Sequence, residues 1–118
     1  MALIAGRLEL PNRRPHLVES FEWNNRAWRL GLGFDDAGAV REIFLEGPKA
    51  GTDLQALAVD AGIVLSRLLQ RGDSVAEIAR SLNGLGETGD AAPSLLHAAV
   101  AHAARAEREL TEPPPHAA

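Results

Sequence analysis

The sequence predicts an α+β domain: a three-stranded antiparallel sheet followed by three helices packed on one of its faces, in the order β-β-β-α-α-α. Three observations carry this. Residues 16–46 alternate apolar and polar side chains with the period of strands and are broken by two turn signals. Residues 52–110 carry apolar residues at helical spacing behind helix-start residues. The chain of 118 residues is one domain's worth, and 46% hydrophobic residues supply a core for it.

Residues 1–15 read as an N-terminal arm. Pro11 and Pro15 bracket Asn12, Arg13 and Arg14, and proline at both ends discourages regular structure. Leu3, Ile4, Leu8 and Leu10 are available to dock the arm on the domain, which spans residues 16–110.

The first strand candidate is "HLVESFEW", with Leu17, Phe21 and Trp23 on one face and Glu19 as the exception. Asn24 and Asn25 suit a tight hairpin, because asparagine tolerates positive φ. The second strand, "AWRLGLGF", puts Trp28, Leu30, Leu32 and Phe34 on one face and Ala27, Arg29, Gly31 and Gly33 on the other. After the turn "DDAG", the third strand "AVREIFLE" has an ambiguous facing, since Ile43 and Leu45 oppose Val40 and Phe44. A strand covered on both faces would account for it.

Thr52 with Gln55 forms a capping-box pattern that opens the first helix. Leu54, Leu57, Ala58, Ala61, Leu65, Leu68 and Leu69 make its apolar stripe, widened by Ile63 and Val64, and Gly72 stops it. Leu65 sits mid-stripe and is expected at the helix–sheet contact. Ser74 with Glu77 is a second capping box, opening a short helix with Val75, Ile78, Ala79 and Leu82 inward. Residues 83–93 form a glycine-rich loop. A last helix starts at Pro93 or Ser94 and runs to about Leu110, and residues 111–118 are a proline-rich tail.

The composition narrows function. There is no cysteine, which excludes disulfides, thiol catalysis, iron–sulfur clusters and cysteine-based zinc sites. A net charge of −4 provides no global field for nucleic acid. No apolar run approaches the roughly 20 residues needed to span a bilayer, so no membrane role is expected. The first residues lack a long apolar segment behind a basic leader, and a bacterial cytoplasmic location is the expectation.

Candidate motifs are few. "GPKAGTD" joins a strand to a helix, where amide groups bind anions and Lys49 adds a charge. Its spacing is not that of a Walker loop, and Asp53 already complements the helix dipole, so a structural corner is the preferred reading. His97 and His102 are five apart on the last helix, off the spacing at which two ligands share a face, and read as solvated or half-buried histidines. Asp35 and Asp36 read as turn residues, Ser66 as a small residue packed on a helix, and residues 107–109 as a solvated face. No nucleophile motif is present, so an enzyme is not expected, and neither is a metal or cofactor. Arg13, Arg14 and His16 form a compact cationic patch that Arg26, Arg29 and Arg41 could extend over the exposed sheet face. With Trp23 or Trp28 nearby, such a face could stack a base. A solvated sheet face is the plainer reading.

Four segments together show a resemblance: "GAVREIFL" at 38–45, "KAGTDL" at 49–54, "LSRLLQRG" at 65–72 and "IARSL" at 78–82. In this order they resemble the TSCPD domain, found as a C-terminal module of vitamin B12-dependent ribonucleotide reductases and as small stand-alone bacterial and phage proteins. The resemblance covers residues 11–104. The family is named for a Thr-Ser-Cys-Pro-Asp motif whose cysteines were suspected metal ligands. This chain has none, so no metal or thiol role carries over, and 118 residues leave no room for the reductase barrel. The resemblance implies the fold and an accessory role.

The preferred expectation is a non-catalytic accessory or regulatory domain that binds a protein partner, with carriage on a mobile element part of that expectation. The residues expected to meet it are Arg13, Arg14, His16, Arg29, Arg41 and Lys49. The alternative is a small nucleic-acid or nucleotide binder using a basic sheet face and the arm. A homodimer is also expected, with the first helix or the outer sheet face at its interface. Three strands leave two open edges, and Ala56, Val59, Gly62 and Ile63 lie off the main apolar stripe.

Overall fold

A computed structural model describes residues 3–4, 7–8, 16–49, 51–82 and 94–111. Arg13, Arg14, the proline-bracketed segment of the arm, the 83–93 loop and nearly all of the tail lie outside the described residues.

Two short strands, β1 (Leu3–Ile4) and β2 (Arg7–Leu8), pair antiparallel within the expected arm. The main sheet is the expected meander of β3 (His16–Trp23), β4 (Arg26–Phe34) and β5 (Val40–Glu46), with β4 in the middle. Trp23 pairs with Arg26 across a two-residue turn, and Asn24 and Asn25 both have positive φ, at 55° and 63°. That is the backbone a tight hairpin demands of its turn residues. Helices α1 (Asp53–Gln70), α2 (Val75–Leu82) and α3 (Leu95–Thr111) follow.

The core lies between one face of the sheet and the helices. Phe21, Trp28, Leu30, Leu32 and Phe34 pack there with Leu65 and Leu69 of α1, Val75 and Ile78 of α2, and Ala98, Ala99, Val100 and Ala103 of α3. The small residues of α3 let its backbone come close to its neighbours.

β5 departs from the expectation of a strand covered on both faces. Its pairing jumps from Gly33–Glu42 to Phe34–Val40, which leaves Arg41 as an extra residue. This β-bulge shifts the phase, so Val40 joins Ile43 and Leu45 on the buried face. Phe44 points outward and stays 56% exposed.

Helix ends follow the sequence with one change. Thr52 Oγ1 accepts from Gln55 N–H as an N-cap, but the Gln55 side chain does not return to Thr52. Its Oε1 accepts from Gly47 N–H instead, at 2.6 Å. Ser74 and Glu77 form the full reciprocal box. At the end of α1, Gly72 N–H donates to Leu69 O and Asp73 N–H to Leu68 O, with Gly72 at φ +116°. These are the paired bonds of a glycine C-terminal stop.

α1 does more than cover the core. It runs along β5 and bonds the edge of that strand with its side chains. Ser66 Oγ accepts from Ile43 N–H at 2.9 Å and donates to Ile43 O at 3.1 Å. Gln70 Nε2 donates to Arg41 O, and Gln55 accepts from Gly47. Gly62 lets the helix approach: a Cβ there would meet Ile43 O at 3.0 Å. One of the two sheet edges expected to be open is therefore closed by a helix. The other, along β3, pairs with no described strand.

Candidate functional site

The outer face of the sheet is built of three cross-strand rows. Val18, Gly31 and Phe44 form the central row. Ser20, Arg29 and Glu46 lie on one side, and His16, Gly33 and Glu42 on the other. Phe44 leans over Gly31, where an added Cβ would lie 3.4 Å from Phe44 Cβ and 3.6 Å from its ring. The glycine thus makes the bed for an aromatic ring, not an empty hollow. Val18 is 61% exposed. The outward flank of α1 adds exposed Val59 and Ile63. Together these residues line a groove of about 740 Å³ between the sheet face and α1, with Arg29, Glu46 and Arg67 along its polar sides.

His16 and Arg29 are exposed on this face, and Arg29 lies 3.8 Å from Glu46. Such an exposed pair contributes little to stability. Glu22, Glu42 and Glu46 share the face, so the described surface is of mixed charge. Lys49 is exposed at the β5–α1 corner, away from the groove residues, and its carbonyl accepts from Thr52 Oγ1. Arg13 and Arg14 lie outside the described residues.

Arg41 is occupied inside the molecule. Its Nε donates to Asp35 Oδ2 at 3.0 Å, and one terminal nitrogen donates to Leu69 O and Asp73 O. The bulge aims this side chain at the C-terminal end of α1, where carbonyls lack intrahelical partners and carry partial negative charge. Asp35 Oδ1 accepts from the Ala37 and Ala39 N–H groups, so one carboxylate holds the turn and the arginine together. Burial alone would raise the Asp35 carboxyl, but the Ala39, Arg41 and Ala37 hydrogen bonds outweigh it and hold the group below its ordinary value of 3.8. Turn chemistry thus accounts for two of this carboxylate's three hydrogen bonds, and Arg41 for the third.

The histidines of α3 are buried, neither solvated nor half-buried as expected: His97 is 2% exposed and His102 is 9% exposed. His102 lies 4.9 Å from the Phe21 ring, with its Nδ1 2.9 Å from an Arg105 nitrogen. Glu107 also departs from the expected solvated face, because its Oε2 accepts from Val40 N–H at 2.8 Å. Among the described residues, no three His, Asp or Glu side chains converge as a metal site. No helix among them is long and apolar enough to cross a membrane.

What the sequence missed is the apolar centre of the face. The signal was present in Phe44, an aromatic out of phase with Ile43 and Leu45, but the bulge that explains it has no sequence mark of its own.

A family model for the TSCPD domain matches residues 8–106. The chain belongs to the TSCPD domain family. Membership relates it to the ribonucleotide reductase module named above. The matched region takes in the whole meander, α1 and α2, so in this TSCPD domain the groove is built from family-matched elements. No curated protein and no solved structure shows a significant match.

Proposed function

We propose that this TSCPD domain is a non-catalytic accessory or regulatory module of the cytoplasm that binds a protein partner and works as a homodimer. The observation that carries the reading is the groove between the outer sheet face and α1. Its centre is apolar and exposed, formed by Val18, Phe44, Val59 and Ile63. Its flanks carry both signs of charge. An apolar centre with a polar rim is the anatomy of protein interfaces. A mixed-charge face gives nucleic acid no continuous row of cations to follow.

Capture from the host with the tagged chain, in parallel with Phe44→Asp, tests this. A protein retained by the wild type, lost with Phe44→Asp and insensitive to salt supports the reading. Retention of an oligonucleotide with a steep salt dependence, unchanged by Phe44→Asp, would replace it with the nucleic-acid reading.

A further inference from the structure

We propose that two copies of the chain join through the free edge of β3, antiparallel about a two-fold axis at Ser20, so that two three-stranded sheets become one of six. The inference rests on the homodimer reading and moves its interface from α1 and the outer face to the strand edge.

The first support is the asymmetry of the sheet. The β5 edge is bonded by Gln55, Ser66 and Gln70 of α1 and approached by Gly62. The β3 edge has no described strand beside it. Edge strands are commonly guarded by proline, lysine, a bulge or an inward-pointing charge, and of these β3 carries only Glu19 on its inner face. β3 has no proline, no lysine and no break in its register with β4.

The second support is hydrogen-bond phase. Trp23 and Arg26 close a two-residue turn, so they form a hydrogen-bonded pair, and the pairs alternate from there. Residues 17, 19, 21 and 23 therefore direct their backbone groups at β4. His16, Val18, Ser20 and Glu22 direct theirs at the free edge. The side chains of Val18, Ser20 and Glu22 are exposed, so nothing among the described residues bars a second strand.

The third support is charge, which selects the register. Symmetric pairing keeps each side chain on its own face, so a residue of β3 must lie on the axis. With Glu19 there, two carboxylates would face one another directly, which disfavours the pair. With Val18 or Phe21 there, the paired stretch is shorter. With Ser20 on the axis, residues 17–23 pair throughout. Val18 then meets the second copy's Glu22, and Leu17 meets its Trp23. Glu19 meets the second copy's Phe21, leaving the two Glu19 side chains diagonal and not opposite. His16 becomes a diagonal neighbour of the second copy's Glu22. The 38% exposure of Leu17 is apolar surface that this pairing covers.

The absence of cysteine makes the register directly testable. Opposed residues of a hydrogen-bonded pair have Cα atoms about 5.5 Å apart, within disulfide reach. Ser20→Cys alone is expected to oxidise to a covalent dimer. Val18→Cys alone is not, because the two copies of that residue lie four positions apart along the strands, about 13 Å. A mixture of Val18→Cys and Glu22→Cys is expected to cross-link as the mixed species. Sedimentation equilibrium should give twice the 12.6 kDa chain mass for the wild type. Ser20→Lys, at an exposed position and still folded by circular dichroism, should weaken dimerisation at least tenfold. A wild-type dimer that persists with Ser20→Lys, or cross-linking by Val18→Cys but not Ser20→Cys, overturns the strand-edge interface and leaves the homodimer standing. A wild-type monomer at every concentration overturns both.

Discussion

At the residue scale, Ser66 carries more than its size suggests. One hydroxyl accepts from Ile43 N–H and donates to Ile43 O, so it satisfies both backbone groups of an edge residue. Removing a partner from buried polar groups costs about 1–3 kcal/mol. Ser66→Ala is therefore expected to lose about that much stability in urea unfolding, with an unchanged denaturant slope. Asp35 makes a second residue-scale case. Its folded carboxyl titrates below the unfolded one, so the stabilisation is complete above the unfolded value and is lost as pH falls through the folded value. Glu77, lowered by its Ser74 hydrogen bonds, acts in the same direction. Unfolding free energy measured from pH 7 to pH 2 should fall on the acid side, and less steeply for Asp35→Asn. Neither role is written in the residue type. A serine on a helix reads as a small polar residue. Only when Gly62 brings the backbones together does it become a bonding partner.

At the element scale, α1 shows which parts of a helix a sequence reveals. Its length, its cap at Thr52 and its stop at Gly72 follow from local chemistry and were legible. Leu65 is buried at 4%, as its place in the stripe required. The second contact row, through Gln55, Gly62, Ser66 and Gln70, was not legible. It mixes a glycine with polar residues, and hydrophobic periodicity does not see it. β5 hid its facing for a related reason, since the bulge at Arg41 interrupts the alternation on which strand reading depends. The two rows of α1 predict different failures. Leu65→Ala leaves a cavity and is expected to cost about 2–5 kcal/mol. Gly62→Ala instead presses a methyl group against the Ile43 carbonyl and must push the helix off the strand. Its signature is faster hydrogen exchange at the Ile43 and Gly47 amides, beyond any change in global stability.

At the scale of the whole molecule, the candidate surface is what remains after the core has taken its share. The inner sheet face is covered by α3, and the β5 edge by α1. The outer face keeps Val18 and Phe44 in view because no described element lies across it. The charge of this face depends on register, which no single strand's sequence displays. Register then set Arg29 beside Glu46 and turned Arg41 inward. Burial of both α3 histidines bears on metal chemistry too. Zinc would have to open the core to reach His97 or His102. The purified protein is expected to hold no stoichiometric zinc after dialysis and to keep its melting temperature in chelator. Zinc at one equivalent by elemental analysis would contradict this.

The sealing of β5 by α1 also limits how far strand addition can go. A sheet with two receptive sides can add copies at both, and head-to-tail growth then has no natural end. A sheet with one receptive side has a valence of one. A pair formed through it presents α1 at each outer flank, and nothing is left to propagate. The hydroxyl of Ser66 and the bare Cα of Gly62 thus separate a closed assembly from an open filament.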